Sequence, residues 1–312
     1  MLLAALLLSP TLSEWLSSAP QLRTGVTVFV AICVQALPFL VLGVLLSGGI
    51  AAFVPARVLE RLMPRNRAAS VGVAGAAGVA LPTCECAAVP VARQLMSRGV
   101  APAAALTFLL AAPAVNPVVL AATAVAFPGE PLMVLARFVA SLGTAVVTGL
   151  LWVRFGKVEW IVERARRRAS DVASGERWRV FTETARADLI EAGGFLVLGA
   201  AVAATMNVLI PPQWFSSLGD ELVVGVVVMA VLAVVLALCS EADAFVVASL
   251  PGLPLLPKLV FLVVGPAVDV KLLSLQAGTF GRPFALRFAP LTFVVAIACA
   301  VAAWAVFLGG GR

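Results

Sequence analysis

Two cysteines and a glutamate lie close together in the apolar stretch LPTCECAAVP, where Cys84 and Cys86 form a C-x-C pair around Glu85. Thiolates are soft ligands that select Cu(I), Zn(II) and, by extension, trivalent metalloids. Residues i and i+2 of a regular helix point to different faces, whereas on a turn between two half-helices both thiols can face one point. We therefore interpret Cys84 and Cys86 as substrate-binding residues and candidate metal ligands. The alternative is that they are small apolar packing residues.

A second apolar stretch, CSEADA, carries related groups. Cys239 adjoins the position that corresponds to Cys84 and is predicted to supply a third substrate-binding sulfur, while Glu241 corresponds to Glu85. Charges in hydrocarbon are costly, so such groups usually line cavities or pair. Because burial favours the protonated form of a carboxyl group, we predict proton coupling through Glu85, Glu241 and Asp243. The alternative is that these carboxylates cap half-helix N-termini.

Asn116 and Asp269 occupy corresponding positions in AAPAVNPV and VVGPAVDV, and both are predicted to bind substrate. Two structural alternatives stay open. Asn116 can instead satisfy carbonyls freed by the neighbouring prolines, and Lys271 can neutralise Asp269 or pair with Asp243. Arg137, near the start of its apolar segment, is expected to snorkel to the outer interface.

Prolines flank these polar positions. Non-helical backbone at membrane depth is tolerated only where protein or a water-filled cavity covers it. The predicted structural hinges between half-helices are Pro82, Pro90, Pro113, Pro117 and Pro266. The broken elements are expected to meet near the midplane, where secondary transporters place their substrate.

The composition is that of a polytopic membrane protein. Of 312 residues, 62% are hydrophobic and 12% are charged, against about 25% charged in a soluble domain. The net charge of +6 is typical of cytoplasmic loops rather than of nucleic-acid binding. The absence of histidine excludes His-based zinc sites and proton relays. We find no phosphate-binding loop or nucleophile elbow, and we predict neither an enzyme nor a cofactor.

The apolar segments repeat along the chain. Eight long ones are found, at about 25–55, 71–97, 102–127, 132–155, 187–210, 222–250, 258–280 and 287–308. QALPFLVLG (35–43) and EAGGFLVLG (191–199) share six of nine residues. FLLAAPAVNPVVL (108–120) and FLVVGPAVDVKLL (261–273) share six of thirteen. This order of matches indicates a duplication, which is common in transporters.

The loop charges favour an inverted duplication. Four full spans per half would place the Arg-rich stretches 56–68 and 156–186 on opposite faces, against the positive-inside tendency. If 71–97 is a re-entrant hairpin, each arm of about 12 residues reaches the midplane of a ~30 Å core. We therefore predict an all-α membrane protein of two inverted repeats. Each repeat has three transmembrane helices plus a re-entrant or broken-helix hairpin. Eight kinked spans are the alternative.

The motifs CECAAVP (84–90) and FLLAAPAVNP (108–117) resemble the predicted-permease family that includes the YraQ-type and ArsP-type proteins. The resemblance extends over most of the chain, because the second half carries degenerate copies. ArsP-type members export trivalent organoarsenicals, and their paired cysteines are implicated in metalloid handling. The resemblance implies that role for Cys84 and Cys86. Arsenical exporters usually have small or hydroxylated residues where this chain has Glu85 and Ala87, a difference that fits a cationic metal or proton-linked substrate equally well.

We therefore predict a proton-coupled permease in the cell membrane that exports a thiophilic metal or metalloid species. Alternatives are a membrane thiol-redox protein that uses Cys84 and Cys86, and a channel-like or partner-dependent transport subunit. The predicted organisation is a first repeat at 1–155, a basic cytoplasmic linker at 156–186 and a second repeat at 187–312. The predicted partners are membrane lipid and a small soft-metal or metalloid substrate, without nucleic acid.

Overall fold

The computed structural model of the chain describes residues 20–55, 64, 66–80, 83–156, 177–209, 222–250 and 253–309. These ranges contain twelve α-helices and no strand. The first half has α1 (Pro20–Phe53), α2 (Arg67–Ala80), α3 (Glu85–Ser97), α4 (Pro102–Val115), α5 (Pro117–Ala126) and α6 (Pro131–Phe155). The second half has α7 (Arg177–Leu209), α8 (Leu222–Leu236), α9 (Asp243–Ala248), α10 (Leu255–Ala267), α11 (Val270–Thr279) and α12 (Arg282–Phe307).

Six helical stretches of the described chain are long and apolar enough to cross a membrane, three in each half. They are Arg23–Phe53, Pro102–Ala126, Pro131–Phe155, Arg177–Thr205, Leu255–Thr279 and Arg282–Phe307. The prediction of an all-α polytopic membrane protein is thereby confirmed. Two of these stretches contain a break, since α4 is followed at once by α5 and α10 by α11.

Helices α2, α3, α8 and α9 are too short to cross a membrane alone. The longest of the four, α8, has 15 residues, against roughly 20 for a span. Helices α2 and α3 have 14 and 13 residues and are separated by the segment that contains Cys84. Each of these two helices is roughly 20 Å long, more than half the thickness of a ~30 Å hydrocarbon core.

The predicted hinge prolines occupy different places relative to the breaks. Asn116 interrupts the helix just before Pro117, because a residue that precedes proline disfavours helical geometry. Pro113 and Pro266 lie inside the last turns of α4 and α10. Pro90 does not break a helix as predicted: it lies within α3, which begins only at Glu85 and tolerates the loss of one backbone donor. Pro82 lies outside the described residues.

The two halves present the same order of helices. Each has a long helix, a helix of 14 or 15 residues, a short helix, a broken span and a final span of 25 or 26 residues. The first helices of the halves, α1 and α7, pack extensively on each other, and so do the last, α6 and α12. Helix α3 packs on α11, and α9 packs on α5, so each short helix contacts the second part of the other half's broken span.

Helix α7 begins at Arg177, ten residues before the apolar run predicted at 187–210. Its first turns are charged, and Arg179 pairs with Glu183 across one helical turn at 3.6 Å. An i,i+4 pair of this kind supports a solvated helix that precedes the apolar part. The linker residues 157–176 lie outside the described chain.

Candidate functional site

The C-x-C pair is buried at the start of α3. Cys84 is the N-cap residue, with an extended backbone (φ −88°, ψ 175°), and its carbonyl accepts hydrogen bonds from the amides of Ala87 and Ala88 at 3.1 and 3.0 Å. Because Cys84 is not helical, its side chain can approach that of Cys86, and the two thiols lie close enough to interact. They are 1% and 2% exposed, so the sulfurs form one buried pair.

The corresponding segment of the second half also carries a thiol. Cys239 is buried, and its Sγ donates a hydrogen bond to Oε2 of Glu241 at 2.7 Å. Its carbonyl accepts from the amides of Ala242 and Asp243 at 2.9 and 3.0 Å, so it leads into α9 as Cys84 leads into α3. A thiol and a carboxyl group are therefore adjacent at both helix starts.

Glu85 connects the two segments. Its side chain is buried, and its Oε1 has no hydrogen-bond partner among the described residues. Its carboxyl group lies close enough to interact electrostatically with Lys271, Asp269 and Glu241. The predicted mates Glu85 and Glu241 thus belong to one electrostatic cluster, although their carboxyl groups are not hydrogen-bonded to each other.

Lys271 is the cationic member of this cluster. Its Nζ lies 3.5 Å from Oδ2 of Asp269, and the side chain is 4% exposed. It also interacts electrostatically with Glu85, Cys86 and Cys239. Asp269 therefore pairs with Lys271, and the structure does not pair Lys271 with Asp243.

Asn116 and Asp269 both cap the helix that follows a break. Asn116 Oδ1 accepts from the amides of Val118 and Val119 at 3.0 Å, and Asp269 Oδ1 accepts from the amide of Leu272 at 2.6 Å. These are N-cap hydrogen bonds that satisfy otherwise free donors. The Asn116 amide also donates to the carbonyl of Thr83 at 3.4 Å, which ties α5 to the residue before Cys84.

Arg137 does not snorkel to an interface as predicted. Its side chain is 0% exposed, because polar groups of two other elements enclose it. Its Nη2 donates to Oδ2 of Asp243 at 2.7 Å and to the carbonyl of Ser240 at 3.1 Å, and its Nη1 donates to Oγ1 of Thr123 at 2.7 Å. Asp243 therefore faces Arg137 in an ion pair.

A second ion cluster, partly buried, was not predicted from the sequence. Arg93 of α3 pairs with Asp188 and, at 3.4 Å, with Glu191, both on α7. Ser47 of α1 donates to Oδ2 of Asp188 at 2.5 Å. A small cavity borders this cluster, next to Pro90. The sequence did contain one indication of this cluster. Asp188 and Glu191 lie three residues apart at the start of an apolar span, where carboxylates need a partner.

The thiols and carboxyl groups do not form a ready-made metal site. Among the described residues, no group of three or more His, Cys, Asp or Glu side chains is arranged to hold a metal ion. The cluster instead offers two pairs, the thiols of Cys84 and Cys86 and the thiol and carboxyl of Cys239 and Glu241. Two thiols can bind a soft electrophile. A third sulfur requires the two helix starts to approach each other.

Comparison with known proteins places this geometry in a membrane context. Residues 21–304 match a family described as predicted permease. The chain is 31% identical over 276 residues to a Streptococcus mutans protein named as a candidate subunit of a two-component membrane permease complex, covering 86% of this chain and 91% of that protein. It is 33% identical over 278 residues to the UPF0718 protein YcgR of Bacillus subtilis, covering 88% and 94%. No solved structure is matched.

Proposed function

This chain belongs to the family of predicted permeases, and we propose that it exports a thiophilic metal or metalloid species across the cell membrane in exchange for protons. The observation that carries the proposal is the buried pair of thiols at the start of α3, inside an electrostatic cluster of carboxyl groups contributed by both halves. A permease family suggests transport rather than catalysis, and buried thiols are suited to a soft cargo.

The carboxyl groups supply the proposed coupling. Glu85 has an unpartnered oxygen beside the thiols, and Glu241 holds Cys239 by a hydrogen bond. A proton on either carboxyl group removes a negative charge from the cluster, and its release restores that charge when a cationic or electrophilic cargo binds. Proton binding and cargo binding are then mutually exclusive. The ion pair with Arg137 favours a structural role for Asp243.

The proposed orientation has the Arg-rich loops in the cytoplasm and the two halves inverted. Three long spans per half support this arrangement, because an odd number of crossings reverses the second half. The short helices α2 and α3 then enter and leave on the cytoplasmic side. Helices α8 and α9 enter and leave on the opposite side.

A resistance screen in cells that lack their own exporters tests the function. Cells expressing the wild type are compared with a Cys84→Ser/Cys86→Ser variant on methylarsenite, arsenite, zinc, copper, cadmium and cobalt. We expect the wild type to protect against at least one of these and the double variant to lose that protection. Cys33→Ser is the matched control, since Cys33 belongs to α1 and to none of the contacts of the cluster. Equal protection by wild type and double variant would overturn the thiol site.

The competing thiol-redox function predicts a different chemical state. A redox protein passes through a Cys84–Cys86 disulfide during its cycle, whereas a carrier keeps both thiols reduced. Mass spectrometry of the protein after rapid alkylation of active cells distinguishes the two. A reversible disulfide in a large fraction of the protein would favour the redox function.

The name of the Streptococcus mutans relative raises the proposal that this chain works with a second subunit. Purified chain in proteoliposomes tests it directly. We expect cargo flux by the chain alone if it is a complete carrier. Flux that appears only when a second membrane protein is present would identify a two-component system.

A further inference from the structure

Two ion clusters, one buried and one partly buried, join the halves of the molecule. Arg93 on α3 of the first half pairs with Asp188 and Glu191 on α7 of the second half. Arg137 on α6 of the first half pairs with Asp243 at the start of α9 of the second half. The two clusters therefore connect the first half to the second half through different helices.

The clusters lie on opposite sides of the thiol and carboxyl site. The broken span Pro102–Ala126 defines an axis through the molecule, and Asn116 lies on that axis at the level of the site. Helix α3 runs away from the site towards Arg93, and its end connects directly to the start of this span. Helix α5 runs from Asn116 in the other direction, and Thr123 on α5 holds Arg137. Arg93 and Thr123 are each about 10–12 Å along a helix from the site level, in opposite directions.

The cluster around Arg93 is partly open. The side chains of Arg93 and Glu191 are 12% and 18% exposed. The adjoining cavity is lined by Pro90, Arg93, Asp188, Glu191, Ala192 and Thr279. This cavity lies where α3, α7 and α11 meet, and the first turns of α3 and α11 carry Glu85 and Lys271. The cavity therefore lies on the Arg93 side of the site, beside the two helices that begin at the site.

The cluster around Arg137 is closed. Arg137 and Asp243 are 0% and 2% exposed, and the arginine binds a hydroxyl, a carbonyl and a carboxylate on two elements. Separating such a pair leaves a buried charge without its partner, so the bridge opens only when water or another polar group replaces it. The same bridge holds Ser240 and Asp243, which flank Glu241.

We propose that the Arg93 and Arg137 clusters are the two gates of the thiol and carboxyl site, and that Arg93 and Arg137 are positioning residues that control from which side the site is reached. The inference rests on the proposed transport function and deepens it. In the conformation of this structure the Arg137 gate is shut and the Arg93 gate is the weaker of the two. Opening one gate while the other stays closed exposes the site to one side at a time.

The test is the sided reactivity of the native site cysteines. A membrane-impermeant maleimide is added to one side of sealed vesicles that contain the full chain with Cys33→Ala and Cys299→Ala. Labelling of Cys84, Cys86 and Cys239 is followed by mass spectrometry. We expect Arg137→Gln to raise labelling about tenfold from the Arg137 side only, and Arg93→Gln to raise it from the Arg93 side only, because each change favours one open state.

Three variants keep the test independent of folding and of transport. Asp243→Asn and Thr123→Val weaken the Arg137 bridge with little change of shape, and both should reproduce its sidedness with smaller amplitude. Arg154→Gln, on an exposed part of α6, is the matched control and should leave labelling unchanged. Labelling that rises equally from both sides, or from neither, would overturn the gates. The assay requires no cargo. A negative result would therefore contradict the proposed gates without contradicting the transport function, and failure of the resistance screen would leave the proposed gates untouched.

Discussion

At the residue scale, the site depends on how two short segments turn into helices. Cys84 is extended at the N-cap of α3, so its thiol meets that of Cys86 across Glu85. Cys239 precedes α9 and donates to Glu241. A cysteine in a continuous span has no such geometry, because the neighbours at i+2 face away. The position of the helix start is therefore what brings these cysteines to their present neighbours.

Serine in place of Cys84 and Cys86 should weaken cargo binding strongly while the fold survives. Serine is similar in size to cysteine, but its hydroxyl is a poor ligand for soft centres. We expect the affinity for Cd²⁺ or methylarsenite to fall by about tenfold or more, the range seen when a ligand environment is damaged. Calorimetric titration of the detergent-solubilised protein measures it, with Cys299→Ser as the control. Unchanged affinity would exclude the thiol pair as the binding group.

Asn116→Asp should separate the two roles of the Asn116 side chain. Aspartate keeps the N-cap of α5, as Asp269 does for α11, but cannot donate to the carbonyls of Thr83 and Ala112. We expect a loss of roughly 1–3 kcal/mol in the free energy of unfolding from the two carbonyls left without a donor. Thermal denaturation in detergent measures the loss. Asn116→Ala removes the cap as well and should be less stable by about a further 1 kcal/mol.

Equal stability of the Asn116→Asp variant and the wild type would contradict the role given to the bond with Thr83. It would leave the cap as the function of this side chain.

Residue contacts were predictable where the two halves carry matching motifs, and unpredictable where a partner came from far along the chain. Glu85 and Glu241 were matched as mates, and they interact electrostatically. Arg137 was misjudged, because its partner Asp243 lies 106 positions away and no local pattern indicates that the two meet. The pairing of Arg93 with Asp188 is equally long-range.

At the element scale, the repeated FLVLG motif positions the helices that carry the site. Its last residue is Gly43 in α1 and Gly199 in α7. A Cβ on Gly43 would overlap the backbone of Ala87 in α3, and a Cβ on Gly199 would lie 2.8 Å from Cα of Lys271 in α11. The backbones of α1 and α3 are therefore in direct contact at Gly43, and those of α7 and α11 are in direct contact at Gly199. The glycine is required for the approach and not for a turn.

Gly43→Ala should weaken the packing of α1 on α3 and disturb the cysteine pair. Overpacking of this kind costs roughly 1–3 kcal/mol. We expect a lower melting temperature and a loss of cargo transport, measured on the purified protein and in proteoliposomes. Gly49→Ala is the matched control on the same helix, because a Cβ there meets nothing within 4 Å. Its greater helix propensity should leave stability equal or higher.

If Gly43→Ala and Gly49→Ala behave alike, the close approach of α1 to α3 does not position the site. The pair Gly199→Ala and Gly194→Ala repeats the comparison in the second half, where a Cβ on Gly194 also meets nothing within 4 Å.

Helix breaks were predictable from proline, but their exact places were not. The break before Pro117 follows from the restriction that proline places on the preceding residue. Pro90 was expected to break a helix and instead lies within α3. The start of that helix depends on Cys84, whose carbonyl accepts the first helical hydrogen bonds, and this choice is made by packing against α1 and α11.

At the scale of the whole molecule, two halves with the same order of helices meet around the site. The inverted arrangement predicts that the loops 56–68 and 211–221 face opposite sides of the membrane. Single cysteines introduced into each loop, in a background without the native five, should react with an impermeant reagent from opposite sides. Labelling of both loops from one side would contradict the inversion, and parallel halves would replace it.

The overall architecture was the most predictable level, since apolar length and the matching motifs of the two halves appear directly in the sequence. The packing of α3 on α11 and of α9 on α5 was not predictable in detail, because it is an interaction between the halves. The sequence indicated which broken segments lie near one another, but it did not indicate which helix each of them packs on.

The most direct test of the account is cargo accumulation in proteoliposomes that contain only this chain. An acidic lumen supplies the proton gradient, and uptake of Cd²⁺ or methylarsenite is measured for the wild type and for Cys84→Ser/Cys86→Ser. We predict accumulation above the external concentration in the wild type, its disappearance when the gradient is collapsed, and a loss of about tenfold or more in the double variant. Uptake that is the same in both proteins, or the same with and without the gradient, would contradict a proton-coupled thiol site.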